Sequence, residues 1–147
     1  MPRFGGLPRP QARLATSADM RPDASERIDA ACRLAVAGKL AMRDIAGWVQ
    51  GLGVSETEFR LLWLLLEHER GQQRGAGALD QAELAERLAV SAAQVSGVVE
   101  RLRERELVDR VLDGGDRRRQ MWRLAPAGAA TVSAVVASVE CEREAAA

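Results

Sequence analysis

The chain has 147 residues, 47% hydrophobic and 29% charged, the proportions of one globular domain able to bury a sizeable core, which argues against a collagen, a coiled-coil fibre or a wholly disordered chain. Its 21 basic and 21 acidic residues cancel, so no global positive field announces a nucleic-acid binder, and any such function must be local. No apolar run approaches the roughly 20 residues that cross a bilayer, and no apolar core of about 7 to 15 residues follows the N-terminal arginines as a secretory signal requires. The expectation is a cytoplasmic protein with no membrane partner. One histidine and two distant cysteines, Cys32 and Cys141, are too few for a zinc site or a disulfide scaffold, so neither metal nor cofactor is expected.

Residues 1–24 contain Pro2, Pro8, Pro10 and Pro22 with Gly5 and Gly6 but no apolar period, which reads as a flexible tail. Met20 is a second candidate start. Residues 25–147 read as the folded domain. Ile28, Cys32, Val36 and Leu40 recur every fourth residue, and Ile45, Trp48 and Val49 continue the stripe, predicting one long amphipathic helix. It stops at Gly51-Leu52-Gly53, and Ser55 with Glu58 forms the Ser-x-x-Glu signature that opens a second helix. Phe59 and the run from Leu61 to Leu66 leave that helix little polar face, which predicts a place at the centre of the core. Gly71 to Gly77 reads as a loop.

Asp80 with Glu83 and Ser91 with Gln94 are two further capping boxes. They predict a short helix from Gln81 to Leu88, a corner at Ala89-Val90-Ser91, and a second helix from Ala92 to Arg105 that buries Val95, Val98, Val99 and Leu102. The period then changes. Leu107 to Leu112 and Gln120 to Leu124 read as strands of a β-hairpin with a Gly-rich, basic tip. Between Asp109 and Arg123 stand five arginines against three aspartates. Pro126 suits the first turn of a last helix whose apolar edge is Val132, Val135, Val136 and Val139.

The predicted fold is mainly α, a winged helix-turn-helix with a two-stranded wing and terminal dimerisation helices. A helix about 12 Å across fits the major groove, and a basic hairpin tip can reach the adjacent minor groove. The chain resembles the MarR family of bacterial winged-helix transcription regulators through Leu79 to Ser91, Val98 to Leu102, Leu107 to Arg110, Asp116-Arg117-Arg118, Leu124 to Gly128 and the start of the second helix at residues 51–62. The resemblance covers roughly residues 28–130. It implies a homodimer on a pseudo-palindromic DNA operator, usually repressing, released by a small-molecule effector or an oxidant. It makes the helix from Ala92 the recognition helix, places Arg118 in the minor groove with Asp116 orienting it, and gives Arg117 and Arg119 to the minor groove and phosphates.

The chain departs from the family pattern where the recognition helix begins. Only Ser91, Gln94 and Ser96 can hydrogen-bond to DNA there, and two of them are caps, so modest base readout and a larger share from the wing are expected. Glu106 stands where relatives commonly have a helix-ending glycine, Ala125 replaces a hydroxyl cap, and the chain ends about one helix earlier than the resemblance implies. Trp48 and Trp63 are candidates to line an effector cleft. Cys32, on the apolar stripe, is a small hydrophobe or, by a loose resemblance to the organic-hydroperoxide-sensing branch of the family, a redox sensor resolved by Cys141. A winged helix that binds protein instead of DNA is the further alternative. His68 reads as a solvated helix-end residue, and no nucleophile, base and orienting acid can be assembled into an enzyme site.

Overall fold

The computed structural model describes residues 22–72, 77–112, 115 and 119–147; residues 1–21 of the tail expected over residues 1–24, and part of the hairpin tip, lie outside them. Among the described residues, five helices and three strands follow in the order α1 (Ala24–Trp48), α2 (Glu56–Gly71), β1 (Leu79–Asp80), α3 (Gln81–Leu88), α4 (Ala92–Glu104), β2 (Val108–Leu112), β3 (Gln120–Leu124) and α5 (Pro126–Ala145). The chain divides into two compact units within α1, one ending at Ala37 and the other beginning at Gly38.

In the first unit, α1 starts at a capping box absent from the sequence reading: the Glu26 N–H donates to Asp23 Oδ1 at 2.8 Å and the Asp23 N–H donates to Glu26 Oε2 at 3.2 Å. No residue anywhere along α1 is buried. Ile28 and Val36 are 64% and 61% exposed, so the part of the predicted apolar stripe that lies in this unit is uncovered.

In the second unit, Val49 is buried and the chain turns through Gly51 and Gly53 at φ of 80° and 75°, a left-handed conformation that costs glycine little. The Ser55 capping box then opens α2 as predicted. Leu61, Leu62 and Leu65 are fully buried, but Trp63 is 39% exposed and Leu64 and Leu66 are half-buried. The expectation that this helix lies at the centre of the core holds for one face only: Leu61, Leu62 and Leu65 fill the core, and the side that carries Trp63 remains open.

The sheet order is β1-β3-β2, all antiparallel. The hairpin register runs from Val108 opposite Leu124 to Leu112 opposite Gln120. The third strand was not foreseen, because two residues carry no period; Leu79 pairs with Trp122 and Asp80 with Met121. Trp122, fully buried, joins Leu84, Val95, Val99 and Leu102 of the α3–α4 pair and Val132 and Val135 of α5 in one core.

Two helix ends are closed by residues other than glycine in the left-handed region. At the end of α3, Ala89 has φ 53°, the Val90 N–H donates to the Ala85 carbonyl and the Ala89 N–H to that of Glu86. At the end of α4, Glu106 has φ 59° and the same bonds run from Leu107 to Leu102 and from Glu106 to Arg103. Both are Schellman closures. α5 begins at Pro126 after Ala125, which makes no side-chain cap bond. Its first turn instead sits on the start of the hairpin: the Ala125 N–H donates to the Leu107 carbonyl, and a Cβ at Gly128 would lie 2.1 Å from that oxygen.

Candidate nucleic-acid interface

The α3–α4 pair carries the outward surface on which a helix-turn-helix acts. Its corner is short because Ala89 turns the chain and Ser91 caps the next helix at once. The Gln94 N–H donates to Ser91 Oγ at 3.2 Å, and Gln94 Oε1 accepts from the Ser91 N–H at 3.0 Å. The predicted DNA-contacting residues Ser91, Gln94 and Ser96 are all exposed, with Ala92 and Ala93 beside them. Ser91 and Gln94 are also bonded to each other, as their spacing implied.

The arginines at the C-terminal end of α4 are paired within the protein. Glu58 of α2 is 6% exposed, and its two oxygens accept from Arg101 Nε at 3.2 Å and Arg105 Nη1 at 3.4 Å. Arg103 pairs with Glu100 at 2.9 Å. Glu58 thus does two things: it completes the cap of α2 and fixes the C-terminal half of α4 to it. The sequence showed only the first.

Arg119 lies where the hairpin returns to β3, and it pairs with Asp80, the residue that caps α3. The Arg119 guanidinium, and after it the Glu83 N–H, hold the Asp80 carboxyl below its ordinary range. Gln81 Nε2 donates to Gln120 Oε1 at 3.2 Å, a second link between hairpin and α3. Of the predicted wing residues the structure therefore ties Arg119 to the helix-turn-helix, while Asp116, Arg117 and Arg118 lie outside the described residues.

A cleft of about 550 Å³ opens on the uncovered side of α2. Both predicted cleft residues, Trp48 and Trp63, line it, with Phe59, Leu88, Val135 and Val139. The Phe59 and Trp63 rings are 6.3 Å apart. Arg60, also in the wall, donates from Nη2 to the Leu88 carbonyl at 2.8 Å and lies 3.5 Å from Glu56. A side chain in the cleft wall is thus bonded to the last residue of α3. Sequence reasoning missed Arg60, whose partner is 28 positions away.

Cys32 on α1 and Cys141 on α5 are both free and exposed. His68, expected to be solvated, is half-buried. Among the described residues no cluster of potential metal ligands occurs, and no helix is long and apolar enough to cross a membrane.

A capped helix pair followed by a hairpin that is tied back to the first helix defines a winged helix-turn-helix, a class of nucleic-acid-binding domain. Residues 52–119 match the model of the MarR family. Over 63 residues the chain is 44% identical to the HTH-type transcriptional repressor NicR of Pseudomonas putida, a match covering 43% of this chain and 40% of NicR; the match thus spans less than half of that curated relative. A probable transcriptional regulator from Pseudomonas aeruginosa is 31% identical, with a TM-score of 0.57 over 76% of this chain and 81% of that one. MepR of S. aureus, solved in complex with DNA, shares the fold at 21% identity, with a TM-score of 0.59 over 77% and 85% of the two chains. The chain belongs to the MarR family of transcriptional regulators.

Proposed function

We propose that the protein is a homodimeric repressor that binds a pseudo-palindromic operator and is released by a small molecule. The observation that carries the DNA reading is the outer face of α4: Ala92, Ala93, Gln94 and Ser96 are exposed at the start of a helix whose opposite face is core. That helix enters a major groove, and the Arg119–Asp80 pair sets the hairpin beside it so that Arg117 and Arg118 meet the minor groove and phosphates. Dimerisation is supported by the uncovered apolar residues of α1, among them Ile28, Leu34, Val36 and Leu40, which a second copy would bury. Two such units reach half-sites about one helical turn apart.

Release by a ligand is favoured over release by oxidation because a formed cleft exists. Its Arg60 bridges to the end of α3. A ligand that draws Arg60 away from the Leu88 carbonyl alters the seat of α3, and with it the spacing of the two recognition helices. Such a repressor acts in the cytoplasm.

The test is a salt-titrated binding curve of the reduced protein on its own upstream DNA against a scrambled duplex. Specific binding whose logarithm falls by about 0.9 per phosphate contact for each logarithmic unit of salt supports the reading. Equal, weak binding to both duplexes would reject it in favour of a protein-interaction module on the same frame.

A further inference from the structure

The first nine residues of α4, from Ala92 to Glu100, contain no lysine or arginine. The arginines that follow are engaged: Arg101 and Arg105 on the Glu58 carboxylate and Arg103 on Glu100. The commonest specific contact in a major groove, arginine or lysine bidentate on guanine, therefore has no donor on this helix's leading turns. Bidentate reading of adenine by Gln94 is also closed, because it needs both the amide oxygen and the amide nitrogen, and the oxygen already accepts from the Ser91 N–H and Oγ. The Glu100 carboxylate, which otherwise suits cytosine N4, is held by Arg103 at 2.9 Å.

What remains outward is small and, on the first turn, apolar. Ala92 and Ala93 are exposed methyl groups on the first turn, Ser96 follows one turn on, and Gly97 has no side chain at all. Val95, Val98 and Val99 turn the other way into the core. A helix face of this kind lets the backbone come close to the base edges, and a methyl side chain is suited to one feature of the major groove, the C5-methyl group of thymine.

We infer that Ala92 and Ala93 are the base-reading residues of α4 and that they select thymine by contact with its 5-methyl group. This rests on the placement of α4 in the major groove proposed above. Each half-site then carries thymine where Ala92 and Ala93 lie, and guanine is not specified there. Ser96 adds one hydrogen bond, and the remaining affinity comes from phosphate contacts that carry no sequence.

The experiment begins with duplexes enriched by the full-length protein from a random-sequence pool. The enriched duplex is then resynthesised with deoxyuridine replacing thymine one position at a time, which removes the methyl group and leaves base pairing intact. One or two positions per half-site should each lose about fourfold in affinity, the effect of one buried methyl. In the Ala93→Ser protein the sensitivity at its position should disappear, and Ala92→Ser should do the same at the neighbouring one. An enriched duplex that binds equally well with deoxyuridine at every position overturns the inference while leaving the DNA-binding reading intact. A pool that yields no enriched sequence overturns both.

Discussion

The Nε of Arg101 lies 3.2 Å from Oε1 of Glu58, so that a carboxylate buried at the start of α2 grips the solvent side of α4. Arg101 and Arg105 are 57% and 43% exposed in their side chains, and solvent screening limits each pair to less than about 1 kcal/mol. The cap on α2 contributes about as much again. Glu58→Ala should therefore lower the unfolding free energy by about 2 kcal/mol, and Glu58→Gln, which keeps the cap, by about half of that. Urea denaturation of the two variants separates these parts. No loss in Glu58→Gln would mean that the arginine pairs contribute nothing, and equal losses in the two variants would mean the same of the cap.

The pairing of Asp80 with Arg119 makes a pH prediction with a definite sign. The Asp80 carboxyl is held below its ordinary range in the fold, chiefly by Arg119. Its contribution to stability is complete above the unfolded value, about 3.9, and is lost as pH falls through the lower folded value. Asparagine caps a helix as well as aspartate does, so Asp80→Asn removes the charge and keeps the cap. The stability difference between wild type and Asp80→Asn should be constant above about pH 5 and shrink below about pH 4. Denaturation series at several pH values measure it, and a difference that grew towards low pH would contradict the assignment.

Gly128 is required by its surroundings. A Cβ there would meet the Leu107 carbonyl oxygen at 2.1 Å and Leu124 Cδ1 at 2.8 Å, and the first of these is backbone that cannot turn aside. Gly128→Ala should destabilise by about 3 kcal/mol, despite the better helix propensity of alanine. A thermal melt shows this directly, and an unchanged midpoint would mean that α5 is not seated on the hairpin as described.

The opposite is expected at the two strained helix ends. Ala89 and Glu106 adopt φ of 53° and 59°, where a side chain costs about 1 to 2 kcal/mol and glycine costs little. Part of that gain is offset by the larger entropy of glycine in the unfolded chain. Ala89→Gly and Glu106→Gly should each stabilise the protein by about 1 kcal/mol, read as a rise in the urea midpoint at constant slope.

The helix starts were legible because their causes are local. Ser55, Asp80 and Ser91 each meet a Glu or Gln three residues on, and all three predicted capping boxes form. The bounds of α3 and β3 follow the sequence pattern, and Glu106, singled out for standing in place of a glycine, does take a positive φ. The long-range pairs were not legible. Arg119 meets Asp80 across 39 positions and Arg101 meets Glu58 across 43, and no periodicity reports such encounters. The open side of α2 was not legible for a related reason: an apolar run says that burial is wanted but not which side a neighbour covers. The tryptophans of the cleft were legible through the family resemblance, which implies an effector cleft, whereas nothing local marks Arg60, whose partner Leu88 is 28 positions away.

The proposed mechanism requires two recognition helices presented together to one face of the duplex. A hydroxyl-radical footprint of the protein on its enriched operator tests this most directly. Two protected patches related by a two-fold axis, about 10 base pairs apart and on one face, are the predicted result. A single patch, or protection without any two-fold relation, would contradict the dimeric operator-binding mechanism.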